Sequence, residues 1–170
     1  MGGAEVLRIL DALEAAGIRA GITGGWGIDA LLRRETRAHG DLDLGVAAEA
    51  VDSAIEAVRP LGYTVTLDER PARVVVASEL GRIDLHPINW GHSGAGVQTG
   101  LAGEVFHYPA GSLDAEGEIA GRSVRCATPD LQLAFHTHYE PRDHDRRDMA
   151  ALADAFGLSL PPSYRAGGAG

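Results

Sequence analysis

The sequence predicts an α/β fold, a mixed β-sheet flanked by helices with a C-terminal helical segment. Three observations predict it. Apolar residues recur at helical spacing over Val6–Ala16 and again over Ala47–Leu61. Residues 41–46 alternate polar and apolar, and strand signals then cluster between Tyr63 and Ile88. Two helical stretches close the chain, one opening at Pro129-Asp130 and one running from Asp143 to Ala155, with Pro141 as the break between them.

Taken in order, Val6, Leu7, Leu10, Leu13 and Ala16 mark an amphipathic first helix stopped by Gly17. Ile18–Thr23 reads as a short strand running into Gly24-Gly25, after which Trp26, Ile28, Leu31 and Leu32 suggest a second helix. The helix over 47–61 ends at Gly62. Strands follow at Tyr63–Leu67, Arg73–Ala77 and Arg82–Ile88. Gly91–Gly103 is rich in glycine and small residues and reads as a loop. Further strands are expected at Val105–Tyr108 and Glu118–Arg125, and the helix from Pro129 is expected to reach Tyr139. The implied organisation is a core over 1–126, a helical segment over 127–160 packed on it, and a disordered tail over 161–170.

Composition narrows the function classes. Apolar residues make up 45% of the 170 and charged residues 23%, which suits a soluble globular chain able to bury a core. The net charge of −9 disfavours nucleic-acid and anionic-membrane partners and leaves room for a cationic small substrate. All 15 basic residues are arginine, so Walker-type lysine loops and Schiff-base chemistry are excluded. A single cysteine, Cys126, forms no internal disulfide, and no signal or membrane-length apolar run is visible; a cytoplasmic location is expected.

Three features carry chemistry. Gly24-Gly25 stands at a strand-to-helix turn, where bare backbone and a helix N-terminus can receive an anion, although an isolated Gly-Gly is also an ordinary tight turn. In Asp41-Leu42-Asp43-Leu44 the two carboxylates share one face of a strand while the leucines enter the core. Such a pair suits Mg²⁺, which prefers oxygen ligands, or else forms a solvated polar face. In Arg82-Ile83-Asp84-Leu85-His86-Pro87 a third carboxylate joins the others if this strand lies beside the first. Asp84 could then bridge a second metal ion or accept a proton from an attacking hydroxyl. Together these are the parts of metal-assisted phosphoryl or nucleotidyl transfer.

The run Gly24-Gly25-Trp26-Gly27-Ile28-Asp29, followed by Thr36-Arg37-Ala38-His39-Gly40-Asp41-Leu42-Asp43-Leu44, resembles the signature of the antibiotic nucleotidyltransferases of the DNA polymerase β-like superfamily. Ile83-Asp84-Leu85-His86-Pro87-Ile88-Asn89 and Leu131-Gln132-Leu133-Ala134-Phe135-His136 are similar to the lincosamide branch, beside the aminoglycoside 2″-nucleotidyltransferases. The resemblance implies the nucleotidyltransferase fold. It also implies transfer of a nucleoside monophosphate, AMP, from an NTP, ATP, to a small-molecule hydroxyl with release of pyrophosphate. Asp41 and Asp43 become metal ligands for Mg²⁺, expected as two ions, and Asp84 the catalytic carboxylate, as base or as third ligand. Thr23, Gly24 and Gly25 would hold the triphosphate, with Arg37 and His39 beside it. Arg33 stands where the family often has glycine, which implies a different turn after the second helix.

The acceptor would meet His86, Trp90, His92, Glu104, Phe106, Tyr108, His138 and Tyr139, since aromatic walls and a carboxylate suit a cationic lincosamide or amino sugar. Each of these is also a plausible surface or core residue. His136 and His138, two apart on a helix, point in nearly opposite directions and do not share a metal. Asp145 and Asp148 read as a solvated helix face or as salt-bridge partners. A homodimer is compatible with the resemblance. The competing functions are transfer to protein or RNA, as in toxin–antitoxin systems, and an inactive nucleotide-binding module of the same fold.

Overall fold

The computed structural model describes residues 1–137 and 139–165. Two helices are built first by local pattern. α1 (Gly3–Ala15) buries Val6, Ile9 and Leu13, and α3 (Val51–Val58) buries Val51, Ala54, Ile55 and Val58. Each set recurs at three and four residues, so each helix turns one apolar stripe toward the sheet. Short 3₁₀ turns at Ala48–Ala50 and Arg59–Leu61 extend α3 over the span its periodicity predicts, and left-handed Gly62 ends it.

The sheet is mixed. Strands β1 (Gly21–Thr23), β2 (Asp41–Ala47), β3 (Thr64–Glu69), β4 (Arg73–Ser78), β5 (Gly81–Trp90), β8 (Ala115–Ile119) and β9 (Arg122–Cys126) lie in the order β3-β4-β5-β2-β1-β9-β8. β2 and β5 are parallel, joined through α3 and the β3–β4 hairpin, and β1 runs antiparallel to β2. β6 (Gly96–Thr99) and β7 (Val105–Tyr108) form a hairpin that pairs with the end of β5. One apolar core gathers residues of α1 and α3, of the central strands, and of α2 (Gly24–Leu32). Met149 and Leu152 of α5 (Asp143–Phe156) join it. A second cluster around Ile88, Tyr108, Leu113 and Leu131 sits beneath the β6–β7 hairpin and α4 (Pro129–Phe135).

Several expectations need correction. The segment Gly91–Gly103, expected as a loop, contains β6. The strand expected over Glu118–Arg125 is a hairpin, β8 and β9, turning at Ala120-Gly121, where both residues have positive φ. α4 stops at Phe135 rather than Tyr139. There the His136 Nδ1 donates to the Gln132 carbonyl at 2.7 Å and the Thr137 hydroxyl to the Ala134 carbonyl at 2.7 Å, so side chains satisfy carbonyls that a longer helix would use. Arg33, despite its side chain, adopts the left-handed conformation (φ 54°) that glycine would favour at this helix end. Pro162–Arg165 forms a helical turn, α6, within the span expected to be disordered. Buried Tyr164 anchors it, donating its hydroxyl to the His136 carbonyl at 2.8 Å. Among the described residues, no helix is long and apolar enough to cross a membrane.

Candidate active site

The register of three strands assembles the site. Thr23 on β1 stands opposite Asp43 on β2, and Asp43 opposite Asp84 on β5. The alternation that sinks Leu42, Leu44, Ile83 and Leu85 into the core leaves Asp41, Asp43, Arg82, Asp84 and His86 on the other face. Thr23 is followed at once by Gly24, the first residue of α2, with φ +60°. The phosphate-type turn and the acid pair are therefore adjacent. A Cβ on Gly24 would lie 2.1 Å from Asp43 Oδ2, so only glycine lets the turn close on that carboxylate.

The three acids differ in environment. Asp41 is partly exposed and accepts from the Arg82 guanidinium at 2.7 Å. Asp43 is half-buried, and its Oδ1 lies 3.1 Å from His86 Nε2. Asp84 is 6% exposed, and its Oδ1 is buried with no hydrogen-bond partner. The nearest guanidinium atoms are Arg73 Nη1 at 3.6 Å from Oδ2 and Arg82 Nε at 4.0 Å from Oδ1. Burial and then the like charge of Asp43 push the Asp84 carboxyl above its ordinary range, against the weaker pull of Arg82 and His86. Among the described residues, no three acidic, histidine or cysteine side chains are gathered as a ready metal cage. The donor set still fits a hard divalent ion: carboxylates on one face, Asp43 Oδ2 turned on the glycine turn, and one buried carboxylate oxygen short of a partner.

A second layer lies beneath the turn. Asp29 of α2, 2% exposed, accepts from the Thr36 hydroxyl at 2.5 Å and backbone N–H at 3.1 Å, and lies 2.6 Å from His39 Nε2. The His39 ring is buried and packs on Trp26 with centroids 4.7 Å apart. His39, expected beside the nucleotide, meets Asp29 through Nε2 and brings its Nδ1 against Gly25 of the turn. Arg37 reaches the same glycine, and its Nε and Nη2 both lie 3.0 Å from Asp148 Oδ2. Asp145 and Asp148, on α5, are buried rather than solvated, and Asp148 is the salt-bridge partner of Arg37.

Beside the acids opens a cavity of about 400 Å³, a size that takes a drug-like molecule. Of the residues expected to meet the acceptor, His86, Glu104, Tyr108 and Tyr139 line it, together with Thr23, Gly24 and Asp43 from the residues expected at the triphosphate and metal. Phe106 completes an aromatic wall, packing edge-on to Phe135 at 6.0 Å. Trp90 and His92 do not line it: Trp90 stacks edge-on outside Tyr108, and His92 lies exposed in the turn after β5. His138 lies outside the described residues. Gln98, Gln132, Phe135 and His136 also line the cavity. Gln132, Phe135 and His136 lie in the run that resembles the lincosamide branch, while Gln98 gave no signal: apolar Val97 beside it is the exposed residue and the polar Gln98 the buried one.

The family model described as aminoglycoside-2''-adenylyltransferase matches residues 5–152. The chain belongs to that family. As a member it is an enzyme of the nucleotidyltransferase class, and its mixed sheet with flanking helices is the nucleotidyltransferase fold. It is 28% identical over 149 residues to a lincosamide resistance protein of Staphylococcus haemolyticus, covering 87% of this chain and 92% of the relative. It is 36% identical over 135 residues to a 2''-aminoglycoside nucleotidyltransferase of Klebsiella pneumoniae, covering 78% of this chain and 71% of the relative. Among solved structures, the lincosamide antibiotic adenylyltransferase LnuA with bound lincomycin superposes with a TM-score of 0.76 at 28% identity, over 88% of this chain and 94% of that one. ANT(2")-Ia in complex with adenylyl-2"-tobramycin gives 0.75 at 26% identity, over 91% and 89%. In this chain Asp43 pairs in register with Asp84 on one side and with Thr23, the residue before the glycine turn, on the other.

Proposed function

We propose that this enzyme transfers AMP from ATP to a hydroxyl of a small antibiotic of the lincosamide or aminoglycoside kind, releasing pyrophosphate. The observation that carries the reading is Asp84 standing in register with Asp43 on parallel strands, with Asp43 abutting the Gly24 turn. Its likeness to enzymes that act on both antibiotic kinds supports the acceptor class. A cytoplasmic location belongs to this reading, because the reaction consumes nucleoside triphosphate.

Asp41 and Asp43 would hold Mg²⁺, as one or two ions, with Asp84 completing the oxygen set or acting alone as base. Bound there, the metal supplies neutralisation of the triphosphate and of the departing pyrophosphate. The chain does the rest. The amides at the start of α2 receive phosphate oxygens at its N-terminus, where the helix dipole favours negative charge. Arg37, held by Asp148, adds a fixed positive charge beside Gly25. The aromatic wall of Phe106, Tyr108 and Phe135 and the Glu104 carboxylate receive the acceptor. The acceptor hydroxyl oxygen bonds to the α-phosphorus as the bond from that phosphorus to the bridging oxygen breaks. Asp84, poorly paired and raised in basicity by burial, takes the hydroxyl proton.

The test is pyrophosphate release from labelled ATP and Mg²⁺ with panels of lincosamides and aminoglycosides, alongside Asp43→Asn. That variant is expected to lose at least about 10³-fold in turnover while its circular dichroism is unchanged. Undiminished turnover would remove Asp43 from the machinery. Label appearing on protein or RNA rather than on any drug would redirect the acceptor. For the nucleotide side, Asp148→Asn is expected to raise KM for ATP about tenfold with kcat within about twofold. It frees Arg37 from a charge-assisted bond worth roughly 1.5–3 kcal/mol. A fall in kcat at constant KM would contradict that role.

A further inference from the structure

The β6–β7 hairpin sends one polar side chain inward, and its hydrogen bonds can be assigned without ambiguity. Gln98 is buried, and its Nε2 lies 3.0 Å from the Ala72 carbonyl. A carbonyl only accepts, so the amide nitrogen must face it, and Oε1 falls opposite the Tyr108 hydroxyl, which donates at 2.7 Å. Burial and the charge of Asp43 push the Tyr108 phenol above its usual pKa, which keeps it a donor. The same Gln98 Nε2 lies 3.0 Å from His86 Nδ1. An amide donor facing a ring nitrogen requires a lone pair there, so the imidazole proton sits on Nε2. That atom is 3.1 Å from Asp43 Oδ1, which therefore receives a hydrogen bond, while Asp43 Oδ2 stays turned toward Gly24.

Packing alone would not choose an amide here. A leucine fills nearly the same volume in a buried hairpin, and a buried amide costs free energy unless its hydrogen bonds are made. Every polar atom of Gln98 is paired, and one of the pairs leads through His86 to the Asp43 carboxylate. With the proton on Nδ1 instead, His86 would turn a lone pair on the Asp43 carboxylate, and the two would repel.

We propose that Gln98 is a positioning residue for the transfer reaction: it locks His86 in the Nε2–H tautomer, which in turn holds Asp43 with Oδ2 directed at the glycine turn. The proposal rests on the reading of Asp43 as part of the transfer site, but its first consequence is visible in the ligand-free protein. In two-bond ¹H–¹⁵N spectra of histidine-labelled protein, the His86 ring should show the proton on Nε2 and an accepting Nδ1. Gln98→Leu should lose that fixed pattern, and kcat should fall about 10- to 100-fold, the size expected for removing a group that orients a ligand-bearing side chain. KM for ATP and acceptor should stay within about twofold. Tyr108→Phe, which leaves both N–H donors of the amide in place, should keep the wild-type tautomer. Gln98→Met serves in place of leucine should that variant not fold. A wild-type His86 protonated on Nδ1 overturns the proposal, and so does a Gln98 variant with the wild-type tautomer and kcat. Failure to turn over any acceptor would count against the transfer reading, while the spectra would still decide the hydrogen-bond chain.

Discussion

Asp84→Asn is expected to raise the thermal midpoint of the metal-free protein at pH 7 while reducing transfer by at least about 10³-fold. The two effects share one cause. Asp84 is 6% exposed, one of its oxygens has no hydrogen bond, and Asp43 stands beside it with the same charge. The carboxyl is accordingly raised above its ordinary value, with burial as the leading cause and Arg82 and His86 only partly offsetting it. A carboxyl raised in the folded state binds its proton more tightly there than in the unfolded chain. Its contribution to stability is full below the unfolded value, near about 4, and is lost as pH rises through the folded value. At pH 7 the ionised group is a net cost, and the isosteric amide removes it. A gain of about 1 kcal/mol would move the midpoint of a domain this size by roughly 2–4 °C. Melting curves across pH check the assignment: the advantage of the variant should shrink as pH falls toward 4. A variant less stable than wild type at pH 7 would mean that Arg73 and Arg82 pair Asp84 more strongly than their 3.6 and 4.0 Å separations imply.

That cost at the site also explains what could be read from residues alone. β2 and β5 were legible because each puts leucine or isoleucine on one face and charge on the other, so period two specifies both strand and orientation. Their pairing was only conditional in the sequence: residues 48–80 intervene, and Asp43 meets Asp84 only because the chain returns through α3 and the β3–β4 hairpin to lay β5 parallel to β2. The turn between β8 and β9 escaped notice because Ala120 takes a positive φ that its residue type does not advertise. In Gly91–Gly103 glycine content masked β6, whose four residues bury the polar Gln98 and expose the apolar Val97, the reverse of the usual strand pattern. Of the two readings open for Asp148, solvated face or salt-bridge partner, the second holds through Arg37, and the burial of Asp29 is accounted for only by its tertiary partners His39 and Thr36. Trp90 failed as a cavity residue for a geometric reason. It lies at the end of β5, where pairing with Gly96 turns it to the outer side of Tyr108.

Gly24→Ala should come close to Asp84→Asn in its effect on turnover, although it deletes no functional group. The residue sits at φ +60°, where an alanine costs about 1 kcal/mol in backbone conformation. More consequential is the space. An added Cβ would stand 2.1 Å from Asp43 Oδ2, 2.9 Å from its Cγ and 3.2 Å from its Cβ, so the whole carboxylate must swing away rather than merely its tip. The swing is resisted on the far side, since Asp43 Oδ1 is held by His86 and His86 by Gln98. Either the hydrogen bond breaks or the glycine turn opens, and each separates the phosphate-receiving amides from the acid pair. A displacement near 1 Å in such a site costs about 10²-fold in rate. Turnover is therefore expected to fall by about 10²- to 10³-fold, with a loss of roughly 2 kcal/mol in stability measured by urea unfolding. Gly62→Ala is the control: that residue also has positive φ, but its Cβ would meet nothing within 4 Å, so it should lose stability and keep its rate. If both alanines reduced turnover alike, backbone strain rather than contact with Asp43 would be the operative cause. The glycine turn and the carboxylate strand, read separately as two motifs, would then no longer be parts of one fitted surface.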